Sequence, residues 1–361
     1  MTGRLSASYA EARTAFLTAC AARDARVTTT VHPRTGLDGE ELAIDVAEIG
    51  PADASSLVVI VSATHGVEGY AGSALQTRWL TDREDQLPPG VAMVMVHALN
   101  PFGMSWVRRV NEDNVDLNRN FVAFDGALDA GPPHNTAYDE LAADLVPLEW
   151  SAESQQATTT RLIERAAAMG AREFQTAVSA GQYHHPTGIF YGGIGPVWSR
   201  HWLEQWFAER MTGVERVALI DLHTGLGPWA YGELISSDSS TSPAYQRATK
   251  WWGEVMSMID GEGVSAVLSG DWLAAAGSFA PHVELTSVAI EYGTVDIVRV
   301  MQALRADAWL HAHGDPTGPD APAIRAAVRA AFADDDPSWL ATLWPRFESV
   351  VDAALHHLPM H

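Results

Sequence analysis

Residues 57–80 read LVVIVSATHGVEGYAGSALQTRWL, and this stretch decides the fold. It begins with the continuous apolar run Leu57–Val61, which is typical of a strand buried on both faces. Small and polar residues follow from Ser62 to Gly69, and the pattern from Ala71 to Leu80 is helical. This order of strand, loop and helix is the unit from which a parallel sheet covered by helices is built.

The same order recurs along the chain. Further apolar runs predict buried strands at Val91–Val96, Val214–Leu219 and Ser287–Ile290. The alternating stretch Leu42–Ile49 predicts a half-buried strand, and Ser8–Ala22 predicts a helix with one apolar face. We therefore predict a three-layer α/β/α fold, in which helices cover both faces of a mostly parallel mixed sheet.

The chain organisation predicts a single domain over residues 1–361, because no internal repeat or low-complexity tract divides it. A stretch rich in Gly, Pro and acidic residues begins an excursion from this domain at about residues 125–200. Helices are expected at the C-terminal end from about residue 323. Asp336 and Pro337 suit the start of the last helix, as its N-cap and its first helical residue.

Composition excludes several classes of function. The net charge is −22, Lys250 is the only lysine, and no basic run exists, so a nucleic-acid partner is not expected. No apolar stretch approaches the ~18 residues of a membrane span. The N-terminal residues lack the apolar core of a secretion signal, so we expect a cytoplasmic protein. The sequence gives no indication of the oligomeric state.

The single cysteine, Cys20, limits the chemistry of any metal site. It excludes a disulfide within the chain and any cluster of thiolate ligands. A transition metal would therefore need His, Asp or Glu side chains.

Polar candidates gather where the predicted strands end. His65, His97, His223 and Glu291 each follow a separate apolar run by a few residues. In open α/β sheets, binding sites form beyond the carboxyl ends of the strands. We therefore expect these side chains to share one rim of the sheet.

His65 and Glu68 stand three residues apart in a glycine-flanked turn, so both can face one ion. Alone, the pair also fits an ordinary surface contact. With His223 it becomes a set of two histidines and one carboxylate, which is typical of catalytic zinc and leaves a fourth position for water. Asp221 could orient the imidazole of His223, provided that the strand continues far enough to give the two residues a common face.

Two further elements carry polar groups suited to catalysis. The stretch from Arg108 to Phe121 is dense in Asn and Arg, and the planar guanidinium fork suits recognition of a carboxylate. The alternative is a solvated polar loop. Glu291 follows an apolar run directly and would suit a general base, although an ordinary glutamate at a strand end fits the same pattern.

Together these elements resemble the zinc carboxypeptidase superfamily, near its succinylglutamate desuccinylase and aspartoacylase branch. The resemblance extends from about Leu57 to Thr294, and its elements occur in the order of that superfamily. The matching elements are His65-Gly66-Val67-Glu68, Asn100-Pro101-Phe102-Gly103, Asp116-Leu117-Asn118-Arg119-Asn120-Phe121, Asp221-Leu222-His223-Thr224 and Glu291.

The resemblance implies that His65, Glu68 and His223 bind one zinc ion. It also implies that Glu291 is the general base, which later protonates the leaving amine.

Arg108 would polarise the scissile carbonyl and stabilise the oxyanion, and a shift of one residue in the alignment would give this role to Arg109. Asn118 and Arg119 would hold the terminal carboxylate of the substrate. Peptide-cleaving members also carry a mobile tyrosine near the substrate, and three residues could match it: Tyr231, Tyr183 and Tyr292.

The implied function is a zinc-dependent hydrolase that cleaves an amide bond next to a carboxylate-bearing residue, by attack of zinc-bound water. The substrate would be a small peptide. One alternative is a deacylase of N-acyl amino acids. Another is a non-catalytic module that binds carboxylates, but the presence of Glu291 argues against this second alternative. The glycine- and aromatic-rich stretch from Gly181 to Gly193 fits a wall of the substrate pocket and a packed loop equally well.

Overall fold

The computed structural model describes residues 4–83, 87–125 and 131–359. Within these residues an eight-stranded sheet has the order β1-β2-β4-β3-β5-β8-β6-β7. Its strands are β1 Arg26–Thr35, β2 Glu41–Ile49, β3 Ser56–Val61, β4 Val91–His97, β5 Arg216–Trp229, β6 Gly232–Ser236, β7 Met256–Ser257 and β8 Glu284–Gly293.

The centre of the sheet is parallel and its outer parts are mixed. Strands β4, β3, β5 and β8 are consecutive parallel neighbours. On one side β2 and β1 add antiparallel pairs, and on the other β6 pairs antiparallel with β8 and parallel with β7. This arrangement confirms the predicted α/β fold with a mixed sheet.

Helices lie on both faces of the sheet. In the described residues they are α1 Tyr9–Ala22, α2 Gly69–Asp82, α3 Pro101–Trp106, α4 Thr136–Asp139, α5 Ala142–Leu145, α6 Ala152–Met169, α7 Ala171–Ser179, α8 Trp198–Arg210, α9 Pro243–Trp252, α10 Trp272–Phe279, α11 Ile297–Ala312, α12 Ala321–Phe332 and α13 Pro337–His357. Successive side chains of β3 point to opposite faces of the sheet, as in any β-strand. Val58 and Ile60 pack in the core formed with α1, α2, α12 and α13, and Val59 packs in the core formed with α8 and α10.

Two strands extend further than the apolar runs predict. The runs ended at Leu219 and Ile290, whereas β5 reaches Trp229 and β8 reaches Gly293. The reason is that the ladder between β5 and β8 continues through Thr224 in unbroken register, with polar side chains on one of its faces. His223 and Glu291 therefore lie within strands and not after them.

Helices lie where the sequence predicts them near both ends of the chain. Helix α1 occupies the predicted N-terminal segment, and Asp336 caps α13 with Pro337 in its first turn. The excursion carries the helices α4 to α7, although residues 126–130 of it lie outside the described residues. Among the described helices, none combines the length and the apolar character needed to cross a membrane.

Candidate metal centre

Three buried side chains form a compact cluster of potential ligands. Nitrogen or oxygen atoms of His65, Glu68 and His223 all lie within 4.8 Å of one another. His65 is the N-cap of a 3₁₀ turn, Gly66–Glu68, that follows β3, and Glu68 is the last residue of that turn. A Cβ at Gly66 would lie 2.1 Å from the carbonyl carbon of Gly103, so only glycine allows this close approach of two backbones.

The third potential ligand, His223, is placed by the register of the sheet. His223 on β5 stands opposite Glu291 on β8, and Asp221 lies two residues earlier on β5. Because side chains alternate along a strand, Asp221 and His223 share a face, and Glu291 stands on that face of the neighbouring strand. Strand β5 therefore continues far enough for Asp221 to face the imidazole of His223, as its expected orienting role requires.

Asp221 orients the imidazole of His223. Its Oδ2 accepts hydrogen bonds from His223 Nε2 at 2.6 Å and from Trp272 Nε1 at 2.6 Å, and its Oδ1 accepts one from Thr64 Oγ1 at 2.8 Å. An ionised carboxylate only accepts, so Nε2 carries the proton and Nδ1 is turned towards Glu68 Oε2, 3.2 Å away. Burial alone would lower the pKa of His223, but Asp221 and Glu68 raise it well above its usual range.

The environment of His65 differs from that of His223. Burial and the nearby Arg109 hold the pKa of His65 well below its usual range. Its Nδ1 is buried without a hydrogen bond, and Asp116 Oδ1 lies 3.5 Å away. The neutral imidazole is the form that binds a metal ion.

Arg109 contacts the cluster directly. Its guanidinium donates to Glu68 Oε1 at 2.7 Å, to His65 Nε2 at 2.7 Å and to Asp116 Oδ2 at 3.0 Å. Burial alone would raise the pKa of Asp116, but Arg109 and Arg119 bring it below its usual value. A cationic donor therefore stands beside the ligands, balanced by a buried carboxylate.

Arg108 points elsewhere. Its Nε donates to Asp307 Oδ2 on α11 at 3.0 Å, and its Nη2 donates to Asn114 Oδ1 at 2.9 Å. Both the guanidinium and its partner Asp307 are buried. This placement does not fit the role that the resemblance gave to Arg108, since its hydrogen bonds to Asp307 and Asn114 direct the side chain away from the cluster. The alternative, a shift of one residue to Arg109, fits the geometry.

Arg119 and Asn118 lie in a second 3₁₀ turn, Leu117–Arg119. The Nε and Nη2 of Arg119 donate to the carbonyl oxygen of Ser179 at 2.9 and 2.6 Å, and Nη1 donates to that of Asn118 at 3.0 Å. Two of the five guanidinium protons remain for another acceptor. The Oδ1 of Asn118 accepts from the backbone N–H of Trp272 at 3.5 Å.

Glu291 is held by an irregularity in β5. The register of β5 shifts between Gly225 and Trp229, and the backbone N–H of Leu226 donates to Glu291 Oε1 at 2.9 Å. Gly225 has φ +137°, a conformation that L side chains rarely adopt, so this bulge depends on glycine. Burial and the neighbouring Glu68 raise the pKa of Glu291 to about 7.

The three candidate tyrosines differ in their surroundings. Tyr183 donates its hydroxyl hydrogen to the carbonyl oxygen of Arg119 at 2.7 Å, and the buried Tyr292 donates to that of Leu343 at 3.5 Å. Tyr231 lies between β5 and β6, bonded through its backbone to Gly293, and 48% of it is exposed. Of the three, only Tyr231 has an exposed side chain at the end of β8.

His97 does not join the cluster. It stacks on Phe16 of α1, with ring centroids 4.4 Å apart, and its Nε2 lies 2.9 Å from Ser73 Oγ on α2. The strand alternation places it on the opposite face from His223. The expectation that His97 shares the rim with the other candidates is therefore wrong.

Several residues at the site were not found from the sequence. Trp272 comes from α10 and carries no local signal, whereas Thr64 immediately precedes a recognised motif. The backbone N–H of Thr224 donates to Glu68 Oε2 at 3.0 Å, which no sequence pattern reveals. Phe190 lies in the glycine- and aromatic-rich stretch, but nothing in that stretch indicates that it contacts Arg109 and Arg119.

The cluster fits a transition metal. Two imidazoles and one carboxylate form a donor set typical of catalytic zinc, and their ligand atoms lie close enough together to contact one ion. The cluster could therefore bind a metal ion.

Solved structures share this architecture. Bovine thrombin-activatable fibrinolysis inhibitor, in complex with tick carboxypeptidase inhibitor, superimposes with a TM-score of 0.53 at 11% identity, over 99% of this chain and 98% of that chain. At such identity the similarity shows the fold alone, and it confirms the predicted carboxypeptidase-like fold.

Two other structures superimpose less closely. Carboxypeptidase A from Helicoverpa armigera gives a TM-score of 0.48 at 14% identity, over 99% of this chain and 75% of that chain. The succinylglutamate desuccinylase from Chromobacterium violaceum gives a TM-score of 0.39 at 15% identity, over 84% of this chain and 74% of that chain.

The family assignment comes from the sequence. Residues 5–346 match the model of a family described as "Protein of unknown function (DUF2817)", and the chain belongs to this family. A comparison with curated protein sequences gave no match.

Proposed function

We propose that the protein is a zinc-dependent hydrolase that cleaves an amide bond next to a carboxylate-bearing residue. One observation carries the proposal: His65, Glu68 and His223 converge, and Glu291 stands directly opposite His223 on the neighbouring strand. Three potential ligands beside a further carboxylate with a raised pKa are typical of metallohydrolases. A module that only binds carboxylates has no need of such a base.

The ligands and the base have separate roles. His65, Glu68 and His223 would hold one ion, and a bound zinc ion supplies Lewis-acid chemistry that polarises a carbonyl group and increases the acidity of water. Glu291 takes the proton of the attacking water at its carboxylate and later gives it to the leaving amine. Its pKa of about 7 suits a group that must both accept and donate a proton near neutral pH.

The arginines act on the substrate. Arg109, in place of Arg108, faces the scissile carbonyl and stabilises the negative charge that develops on its oxygen. Arg119 has two guanidinium protons left for the substrate carboxylate, and Asn118 adjoins it. Tyr231 is the exposed tyrosine that would reach the substrate.

A carboxypeptidase-like reaction on small peptides is the leading form of this proposal, and deacylation of N-acyl amino acids is its alternative. A screen of N-acetylated dipeptides and N-acyl amino acids, with zinc measured by plasma emission spectroscopy, separates the two. A protein without zinc that hydrolyses neither class would refute both forms.

The base is tested by Glu291→Gln. We expect kcat to fall by roughly 10²- to 10⁴-fold, the contribution typical of general acid–base catalysis, with zinc content unchanged. Glu284→Gln is the matched control, because Glu284 belongs to the same strand but is exposed and pairs only at 3.7 Å with Arg216 and Arg247. Unaltered turnover of a zinc-loaded Glu291→Gln variant would contradict the mechanism.

A further inference from the structure

Phe190 occupies an unusual place beside the two site arginines. The Cζ of Arg119 lies 5.3 Å from the centroid of its ring, and that of Arg109 lies 5.5 Å from it. Both distances fall within the ~6 Å range of a cation–π contact. The ring is only 8% exposed, so the contact is shielded from water, where such interactions are strongest.

The backbone of Phe190 adopts a conformation that is energetically unfavourable for a bulky residue. Its φ is 55°, in the left-handed region, which is uncommon for a bulky side chain. Glycine or asparagine would serve better if the turn alone mattered. A strained backbone conformation is kept only when surrounding contacts enforce it. Strain of this kind is concentrated at functional sites.

Hydrogen bonds hold the strained residue from both sides. The carbonyl oxygen of Phe190 accepts from the backbone N–H of Gln182 at 3.2 Å. The preceding Ile189 carbonyl accepts from the Tyr138 hydroxyl at 2.9 Å, and the following Tyr191 carbonyl accepts from the N–H of Asp116 at 2.8 Å. The last bond links the Phe190 loop to the carboxylate that neutralises both arginines.

Asp116 and Phe190 act on the arginines in different ways. Asp116 Oδ2 accepts from Arg109 Nε at 3.0 Å, and its Oδ1 lies 3.8 Å from Arg119 Nη1. These contacts lie along the edges of the guanidinium groups and balance their charge. The Phe190 ring instead contacts both guanidinium groups with the Cζ of each over the ring, where it limits their movement and excludes water.

We propose that Phe190 is a positioning residue that holds Arg109 and Arg119 together at the site and keeps their charges desolvated. The proposal rests on the function proposed above. Since one ring serves both arginines, its loss affects the two steps assigned to them at once. The oxyanion interaction of Arg109 weakens, and so does the carboxylate interaction of Arg119.

The first test is kinetic and uses Phe190→Leu, which keeps an apolar side chain but removes the aromatic face. With an N-acetylated dipeptide as acid and as C-terminal amide, we expect kcat to fall about tenfold on both, and KM to rise about tenfold on the acid alone. Phe190→Tyr should restore both parameters. Phe121→Leu is the matched control, because its ring faces Arg200 at 5.2 Å, outside the cluster.

A second variant preserves the shape of the ring. Replacement of Phe190 by phenylalanines of increasing fluorination removes electron density from the ring face without a change of fold, and kcat/KM should decrease stepwise. Equal kinetics across this series and in Phe190→Leu would overturn the proposal.

A third test uses NMR spectroscopy and does not depend on enzymatic turnover. Arginine Nε–H resonances of Arg109 and Arg119 should shift in Phe190→Leu, because ring-current effects are lost, while Arg200 shifts only in Phe121→Leu. If no substrate is hydrolysed but these resonances shift, the proposed function fails and the positioning by Phe190 stands. If hydrolysis is observed and the resonances do not move, the positioning proposal alone is overturned.

Discussion

Two regions of the molecule bring side chains to the same site by different means. The ligand-bearing region, β3 with its turn together with β5 and β8, places His223 and Glu291 through the regular register of parallel strands. The arginine-bearing region, residues 108–120, places its side chains through short irregular turns and individual hydrogen bonds. A regular register is encoded in a repeating pattern, whereas an irregular loop is determined by contacts that are distant in sequence.

Side chains that are close in sequence are directed differently in the two regions. On β5, residues two apart share a face, so Asp221 and His223 meet as the period of two predicts. In the loop, the adjacent Arg108 and Arg109 diverge, one towards α11 and the other towards the ligands. The same distinction gives each region its own experimental signature.

The largest effect is expected in the ligand-bearing region, from His223→Ala. Loss of a ligand should weaken zinc binding more than 100-fold, since loss of a partner that merely orients a ligand costs 10- to 100-fold. Zinc stoichiometry after dialysis and turnover should both collapse. His97→Gln is the control, a strand-end histidine on the other face. A zinc-replete, active His223→Ala protein would remove His223 from the ligand set.

The arginine-bearing region is tested by a pair of adjacent variants. Arg109→Ala should lower kcat by about 10²- to 10³-fold with zinc retained, the usual cost of one oxyanion donor. Arg108→Ala should keep its turnover but lose about 3–5 kcal/mol of unfolding free energy, because Asp307 is left buried without its partner. Steady-state kinetics and urea unfolding check the two outcomes.

A double variant tests whether the loss of stability in Arg108→Ala comes from the unpaired charge of Asp307. Removal of Asp307 together with Arg108 should recover part of the lost stability, since no unpaired charge remains. If Arg108→Ala lost turnover and Arg109→Ala did not, the role first implied for Arg108 would stand.

A smaller effect is expected from Asp221→Asn, which changes the hydrogen bond to His223 without removing a ligand. Zinc affinity should fall 10- to 100-fold, measured by competition with a chelator. Asp238→Asn, a half-buried carboxylate beyond the end of β6, should leave the affinity unchanged. Unaltered affinity in Asp221→Asn would show that the imidazole is oriented by other contacts.

A separate effect concerns the dependence of the free energy of unfolding on pH, which involves His97. Burial lowers its pKa from 6.5 to about 4, so the unfolded chain takes up the proton at a higher pH than the folded protein does. Stability is therefore lost as the pH falls from 6.5 towards 4, by up to about 3 kcal/mol from this group. His97→Gln should flatten that part of the urea-unfolding profile. An equally steep profile would contradict the assignment.

The sheet and the clustering of His65, Glu68 and His223 could be predicted because their signals are local or periodic. Continuous apolar runs identified β3 and β4 nearly to the residue, and the turn containing His65 and Glu68 adjoins β3. The same method ended β5 and β8 too early, since it stops at the first polar side chain. Asp221 remains inside the strand because Thr64 and Trp272 satisfy its carboxylate.

The rest of the site could not be predicted, because its determinants are distant in sequence. Arg109 is turned towards the cluster by Asp116, whereas Arg108 is turned away from it by Asp307. Trp272 reaches Asp221 from a helix 51 positions away along the chain. The strained conformation of Phe190 depends on hydrogen bonds that only the folded structure reveals.

The distance in sequence between the ligands affects how the molecule folds. Glu68 and His223 are 155 positions apart, and the strands that bear the site join only when β5 docks between β3 and β8. Of the three residues, an unfolded chain therefore brings only His65 and Glu68 close together, and closing so long a loop to His223 costs entropy before its contact with an ion is gained. A cation bound by all three residues would thus bind the native state almost exclusively, and would raise the free energy of unfolding in proportion to the logarithm of its concentration.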